Sequence, residues 1–248
     1  MRGSINGFLS EARLNEMRAA IPERYSARQF SAPPSPAQLA ALSFLSGRLC
    51  LSGVRIRLCE CDSQFFTPRL LPSMTITGAE KYALLTYNES VNPLALFCAG
   101  FSGQAFALCA WAQGVKSCWA DGSFRRERIA LPIENGERVA AVLAIGQTET
   151  QRRSAIKRKT AAQLVRDDFT AYPLWAQSAL EGVRLSPSSM NRQPWQLEFD
   201  GEALNIYVKN DAMLELGIAV AQAQAMLPAG GTWKIDAEKR MAAVKLDG

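Results

Sequence analysis

The sequence predicts an α+β fold arranged as two pseudo-symmetric halves within one chain. The 248 residues are 48% hydrophobic and 21% charged, which is typical of a globular protein that buries its own core. Short apolar strands alternate along the chain with apolar helices. A pattern of glycine, alanine and tryptophan in the first part of the chain also recurs in the second part. These observations indicate two related halves that each contain strands and helices.

Hydrophobic periodicity and turn residues predict the elements in order. Ser35 is the predicted N-cap of the first helix, Gly114 closes an apolar helix, and Gly146 ends a buried strand. A short strand is expected between Gly114 and the turn at Asp121. Helices are predicted over residues 36–49, 103–113, 174–185 and 216–227, and strands over 54–60, 81–87, 138–145, 196–200 and 203–208, before a last strand pair.

An internal echo supports the two halves. Residues 140–142 parallel residues 242–244 at an offset of 102 positions. Internal duplication explains the echo, and chance is the alternative because alanine matches are frequent. We predict a first half over residues 1–160 and a shorter second half over 161–248. At an offset of 114 positions, Gly103, Ala105, Ala107 and Trp119 correspond to Gly217, Ala219, Ala221 and Trp233.

The sequence has no histidine, which excludes Ser-His-Asp and Cys-His catalysis, HExxH zinc sites and C2H2 fingers. We expect no metal site. The six cysteines show no CxxC spacing and are expected to be free thiols of a reducing compartment. The first twenty residues have no apolar stretch of the kind found in secretory signals. We therefore expect a cytoplasmic protein.

The net charge is +5, with 20 arginines against 8 lysines. An arginine excess is compatible with nucleic-acid binding, but the dense basic run at residues 151–159 is too short to form a binding stripe. We expect no nucleic-acid partner. Residues 90–115 carry no charge, yet polar and glycine residues interrupt them, so they predict a buried core helix rather than a membrane span.

Three segments combine arginine, hydroxyl, amide and glycine groups in ways that a core does not need. Residues 24–30 (RYSARQF) place two guanidinium groups four residues apart and could grip a phosphate and a carbonyl, or form an exposed basic arm. Residues 186–195 (SPSSMNRQPW) offer donors and acceptors for the edge of a flat heterocycle, or simply connect a helix to a strand. Residues 114–124 (GVKSCWADGSF) contain a turn that lets backbone approach a ligand.

Together these segments resemble the FMN-dependent nitroreductase family. RYSARQF resembles its R-R-S-x-R-x-F/Y start, SPSSMNRQPW is close to its A-P-S-x-x-N-x-Q-P-W segment, and GVKSCWADGSF is similar to G-L-G-T-C-W-x-G-G-F. The second segment follows the first by about 160 residues, as in the duplicated single-chain subgroup. Lys116 stands at a family glycine, Gln222 follows the G-I-A stretch where that subgroup often has histidine, and Arg69 is the basic residue of the loop before residues 81–87.

The resemblance implies a mixed, mostly antiparallel sheet flanked by helices, and a flavin site shared between the halves. Arg24 and Ser26 would hold the FMN phosphate and ribityl chain, and Arg28 would face the flavin N1/C2-carbonyl edge, where a cation favours the reduced form. The implied cofactor-binding residues are Arg24, Tyr25, Ser26, Arg28, Ala120, Asp121, Gly122, Lys157, Arg158, Ser188, Ser189, Met190, Asn191 and Gln193.

The activity implied by the resemblance is that of an NAD(P)H oxidoreductase with FMN as cofactor. Hydride would pass from NAD(P)H through flavin N5 to a nitroaromatic, quinone or similar small acceptor, and no side chain would act as a nucleophile. The chain would function as a pseudo-dimeric monomer or as a homodimer, without a membrane partner. A flavin-binding protein without turnover is the alternative, as is a nucleic-acid-binding protein.

Overall fold

The computed structural model describes residues 1–4, 9–69, 74–149, 157–228 and 231–246. Within these ranges two antiparallel sheets enclose a layer of two apolar helices. The helices are α1 (Glu11–Glu23), α2 (Pro36–Arg48), α3 (Ala95–Ala112), α4 (Ala161–Leu164), α5 (Leu174–Leu185) and α6 (Met213–Ala225). The strands are β1 (Arg2–Gly3), β2 (Val54–Glu60), β3 (Lys81–Tyr87), β4 (Lys116–Ala120), β5 (Arg138–Gly146), β6 (Trp195–Phe199), β7 (Leu204–Val208), β8 (Thr232–Asp236) and β9 (Met241–Lys245).

The two sheets share one strand order. The first sheet runs β2-β3-β5-β4, and the second runs β1-β8-β9-β7-β6. When β1 is left aside, a long apolar helix, α3 or α6, connects the second strand of each sheet to the third in chain order. The predicted α+β class is confirmed, although the described strands form two sheets with antiparallel ladders rather than one mixed sheet. The packed helices α3 and α6 lie between these sheets and separate them.

Strand β1 belongs to the second sheet although it lies at the start of the sequence. Arg2 pairs with Lys234 and Gly3 pairs with Trp233 of β8. Residues from the predicted first half therefore complete the sheet of the second half. The boundary between residues 160 and 161 remains a prediction.

Helices α3 and α6 cross at two glycines. A Cβ atom on Gly100 would lie 2.0 Å from the carbonyl oxygen of Leu214, and a Cβ atom on Gly217 would lie 2.0 Å from the carbonyl oxygen of Phe97. Both distances are shorter than any real contact, so the two backbones can approach this closely only because neither residue has a side chain. The helices consequently pack backbone against backbone in the centre of the protein.

These contacts relate the two helices at an offset different from that of the echo. Gly217 corresponds by contact to Gly100, whereas the sequence comparison paired it with Gly103. A Cβ atom on Gly103 would instead meet Leu85 of β3 and Trp119 of β4. The correspondence shifts by three residues, about one helical turn, because alanine-rich helices align almost equally well in neighbouring registers. The tryptophans do lie in equivalent strands, β4 and β8.

Most predicted elements are present with shifted ends. Ser35 caps α2 as predicted, accepting a hydrogen bond from Gln38 N at 3.3 Å. Helix α3 begins eight residues before the predicted start, because it is buried on all sides and has no amphipathic pattern to mark its beginning. Helix α1 was not predicted, although Ser10 caps it and Leu14, Met17 and Ile21 form its buried face.

Helix α3 accounts for the uncharged stretch in the sequence. Among the described residues it is the helix long and apolar enough to cross a membrane by length and composition, with a mean hydropathy of 1.4. However, 83% of that window is buried inside the protein, as expected for a core helix packed between a sheet and α6.

We expect opposite stability changes from two alanine substitutions in helices. Gly217→Ala should lower the free energy of unfolding by about 1–3 kcal/mol, because the new Cβ forces α3 and α6 apart. Gly47→Ala is the matched control, since a Cβ there meets nothing within 4 Å, and it should raise stability by about 0.5–1 kcal/mol. Denaturant unfolding of both variants measures the difference, and equal effects would contradict the backbone crossing.

Candidate functional site

A cavity of about 290 Å³ lies where the end of β4, the start of α6 and the loop after α5 meet. Its volume is at the lower end of the range for small-molecule sites. Residues from both predicted halves line it. They are Ser26, Arg28, Arg69, Met74, Ile76, Cys118, Trp119, Asp121, Ser123, Arg158, Pro187, Ser188, Ser189, Met190, Asn191, Leu214, Glu215 and Ile218.

The backbone around Arg28 is held from two sides. Ala27 N donates to the Ser117 carbonyl of β4 at 3.1 Å, and Thr77 N donates to the Arg28 carbonyl at 2.8 Å. Gly78 has a φ of 70°, and a Cβ atom on it would lie 2.1 Å from the Phe30 carbonyl oxygen, so glycine is required for this close approach. The fold therefore fixes where the Arg28 side chain leaves the backbone.

The loop after α5 has an unusual backbone. Met190, Asn191 and Gln193 have φ values of 50°, 56° and 48°, in the left-handed region that residues other than glycine rarely adopt. Gln193 stabilises this shape, because its N–H donates to Ser188 Oγ at 2.9 Å and its carbonyl accepts from Lys159 Nζ at 2.8 Å. The surrounding contacts hold a strained loop at the edge of the cavity.

Asn191 links this loop to the arginine that follows the basic run. Arg158 Nη1 donates to Asn191 Oδ1 at 2.6 Å, and Asn191 Nδ2 donates to the Lys157 carbonyl at 2.8 Å. Arg158 Nη2 also donates to the Leu185 carbonyl at 3.3 Å. These bonds hold the Arg158 guanidinium at the cavity wall. Residues 151–156 of the basic run lie outside the described residues.

The cavity brings together eight of the fourteen predicted site residues. They come from four separate parts of the chain, which only the fold places side by side. The eight are Ser26, Arg28, Asp121, Arg158, Ser188, Ser189, Met190 and Asn191.

The other six predicted residues are not among the cavity-lining residues. Arg24 is 4% exposed and lies close enough to the Cys118 thiol to influence its pKa. Tyr25 packs edge-on against Trp111, with ring centroids 5.1 Å apart, because the residue between Arg24 and Ser26 points away from their side.

The remaining four have structural or peripheral positions. Ala120 is buried in β4, Lys157 contributes its carbonyl to Asn191, and Gln193 braces the loop. Gly122 has open space around its Cβ position, so the turn leaves room next to the backbone. The predicted close approach at this turn therefore remains a prediction.

The two positions that depart from the family pattern are also placed outside the cavity lining. Lys116 lies over the Trp111 ring, with its Nζ 3.7 Å from the centroid, and partial burial lowers its pKa. Gln222 is fully buried in α6. Neither side chain is among those that line the cavity.

Ten cavity residues were not among the predicted site residues, although four of them lie within the singled-out segments 114–124 and 186–195. Leu214, Glu215 and Ile218 form one face at the start of α6, and the helix predicted from residue 216 began after the first two of them. Arg69 was singled out in its loop but not assigned to the site, and residues 70–73 of that loop lie outside the described residues. The ten are Arg69, Met74, Ile76, Cys118, Trp119, Ser123, Pro187, Leu214, Glu215 and Ile218.

The cavity combines positive charge with an apolar wall. Three arginines face two carboxylates, Asp121 and Glu215. Burial raises the pKa of the Cys118 thiol, although Arg28, Arg24 and a hydrogen bond with Ser26 act in the opposite direction. The thiol therefore remains protonated near neutral pH and is a poor nucleophile. The arrangement suits a partly apolar ligand with an anionic group.

We expect Asn191→Ala to cost about 2 kcal/mol of stability, because it removes two hydrogen bonds and places alanine at a positive φ. Asn210→Ala is the matched control, since Asn210 also has a positive φ of 55° but lies in an exposed turn. It should cost about 1 kcal/mol. Denaturant unfolding compares the two, and an Asn191→Ala effect no larger than the control would contradict the bracing role.

Solved structures of nitroreductases are similar to this chain. The chain is similar over 94% of its length to a nitroreductase structure from Thermotoga maritima, 94% of which is covered, at 19% identity and a TM-score of 0.71. A nitroreductase from Desulfitobacterium hafniense with bound FMN shares 17% identity over 58% of this chain and 94% of its own, at a TM-score of 0.42. An FMN-dependent nitroreductase from Clostridium difficile shares 13% identity over 62% of this chain and 96% of its own, at a TM-score of 0.46.

No curated protein matches the sequence of this chain. In contrast, a family model described as "Putative TM nitroreductase" matches residues 16–226, which is most of the chain and includes every cavity residue. With the shared fold of the Thermotoga maritima protein, this match shows that the chain belongs to the nitroreductase family.

Proposed function

We propose that this protein is an FMN-dependent oxidoreductase that takes electrons from NAD(P)H and reduces a small acceptor such as a nitroaromatic or a quinone. One observation carries the proposal. One cavity with an apolar wall is lined by residues from both proposed halves. Ser26, Arg28 and Arg158 come from the first half, and Asn191 comes from the second. Membership of the nitroreductase family supports an oxidoreductase of this kind.

The donor set fits FMN. A phosphate is best held by guanidinium and hydroxyl groups, which Arg158, Ser188 and Ser26 supply. A flat ring system requires apolar contacts, and Ile76, Leu214, Ile218, Met74 and Trp119 supply them.

The proposed roles follow from these positions. Arg28 would face the flavin N1/C2-carbonyl edge, since its backbone is fixed from two sides. Ser26, Ser188 and Arg158 would hold the phosphate and ribityl chain, with Asn191 fixing Arg158. Arg24, buried behind the wall, would contribute positive potential rather than line the cavity, and Asp121 and Gly122 would lie near flavin N5.

When bound, FMN would supply the redox chemistry that links a reduced nicotinamide to the acceptor. The protein's own residues would bind the flavin, orient it and screen it from water. The Arg28 guanidinium would stabilise negative charge on the flavin and so would lower the free energy of its reduced state. The protonated Cys118 thiol takes no covalent part.

The two halves would act together as a pseudo-dimer, because the cavity needs residues from each. The equal strand order of the two sheets and the reciprocal glycine contacts support an internal duplication with halves at residues 1–160 and 161–248. A cytoplasmic location, in keeping with six free cysteines, is part of this proposal.

The proposal is tested by incubating the purified protein with FMN, desalting it, and recording its visible spectrum. We expect retained flavin absorbance that bleaches when NADH or NADPH is added without oxygen, and that returns when a quinone is added. Colour that does not bleach would favour a flavin-binding protein without turnover. A colourless protein would contradict the proposed function.

Arg28→Ala should weaken FMN binding roughly 10- to 100-fold, in line with about 1.5–3 kcal/mol for a hydrogen bond to a charged group, and should slow reduction by NAD(P)H. Arg28→Lys should restore part of both. Arg138→Ala is the control, because Arg138 is an exposed arginine paired with Glu89. Fluorescence titration with FMN and stopped-flow reduction measure these effects, and an unchanged Arg28→Ala variant would contradict the assigned role.

A further inference from the structure

The crossing of α3 and α6 relates the two halves residue by residue. The two glycine contacts are reciprocal, since Gly100 meets Leu214 and Gly217 meets Phe97. Both pairs of equivalent residues, Gly100 with Gly217 and Phe97 with Leu214, differ by 117 positions. This offset identifies the α3 residues that are equivalent to the cavity-lining residues of α6.

The cavity face of α6 has an apolar counterpart on α3. By this offset Leu214 and Ile218 correspond to Phe97 and Phe101, and Glu215 corresponds to Cys98. All three α3 residues are fully buried. The α3 face is therefore covered, whereas the α6 face is partly open to the cavity.

Trp233 covers much of this α3 face. Trp233 lies in β8, and Trp119 lies in β4, which is the equivalent strand of the first sheet. Its ring centroid is 5.1 Å from that of Phe97 and 5.6 Å from that of Phe101. Trp119, by contrast, is half-buried and lines the cavity. The tryptophans of two equivalent strands thus have different surroundings.

Residues 1–3 fill the rest of the equivalent space. Met1 Sδ lies 3.9 Å from Cys98 Sγ and 3.8 Å from Asn92 Nδ2. Gly3 pairs with Trp233, and a Cβ atom on Gly3 would lie only 2.3 Å from the indole ring. The backbone of residue 3 is therefore in direct contact with the tryptophan.

The same edge of each sheet is used in different ways. In the first sheet the backbone next to Arg28 runs along β4 through the hydrogen bond from Ala27 N to the Ser117 carbonyl. In the second sheet residues 1–3 run along β8, where Ile235 N donates to the Met1 carbonyl at 2.8 Å. One edge segment brings a hydroxyl and a guanidinium to a cavity, and the other brings a thioether and a glycine to a packed aromatic cluster.

We infer that each chain binds a single FMN. A second FMN position, related to the first by the pseudo-symmetry of the halves, is filled by residues 1–3 and Trp233. This inference rests on the proposed function. The duplicated chain would keep two related frameworks but one site, because the second position has exchanged ligand-binding groups for core packing.

The first test is the molar ratio of flavin to protein after saturation with FMN and gel filtration, measured from absorbance of the released flavin and the amino-acid content. We expect a ratio close to one. A ratio close to two would overturn the single-site inference while leaving the proposed function in place. A ratio of zero would overturn the proposed function and, with it, the inference.

A double variant, Arg28→Ala with Arg158→Ala, separates one site from two. It should retain no flavin after gel filtration, whereas a second site would keep about half of the flavin of a two-site protein. Circular dichroism confirms that the variant is folded. Retained flavin in a folded double variant would contradict the inference.

Gly3→Ala tests the closing segment without touching the cavity. The added Cβ should disturb the packing on Trp233 and lower the melting temperature, while the FMN ratio and the FMN dissociation constant remain those of the unsubstituted protein. Arg2→Ala, at an exposed neighbouring position, is the control and should change neither. A Gly3→Ala variant with a tenfold weaker FMN affinity would overturn the inference, because residues 1–3 would then belong to the flavin site.

Discussion

The close contact of α3 and α6 is the constraint on which the rest of the structure depends. Two glycines allow the helices to approach at backbone distance, and larger residues at either position would open a gap between them. Each helix then presents its other side to one sheet. The start of α6 consequently reaches the end of β4 in the other half, and the cavity forms where these two elements meet.

The cavity depends on supports that do not themselves line it. Gly78 permits the backbone near Arg28 to lie against Thr77, and Gln193 holds a loop with left-handed residues. Such strain persists only where surrounding contacts compensate for it. Here the compensation comes from hydrogen bonds between Lys159 and Gln193, so the segment after the basic run supports the loop as well as contributing Arg158.

The two halves share a framework but differ in chemistry. Equivalent strands carry Trp119 and Trp233, yet one ring borders the cavity and the other is buried against two phenylalanines. The same sheet edge is covered by different parts of the chain in each half. The shared strand order and the helix crossing are therefore present without a second set of ligand-binding groups.

The sequence by itself determined the element types, the short motifs and the apolar helices. Ser35 with Gln38 marked a helix start, and the arginine, serine and asparagine segments indicated the residues that converge on the cavity, because local spacing determines which groups leave one loop together. The sequence could not show that Tyr25 packs against Trp111, that Gln193 binds Lys159, or that neither residue lines the cavity.

Only the tertiary structure decided the register between the halves and the α6 face of the site. Alanine-rich helices align in several registers, and the backbone contacts of Gly100 and Gly217 select one of them. Leu214, Glu215 and Ile218 became visible as site residues only when α6 was placed against β4. Such contacts join residues about 100 positions apart in the chain, and local periodicity carries no information about pairs at that separation.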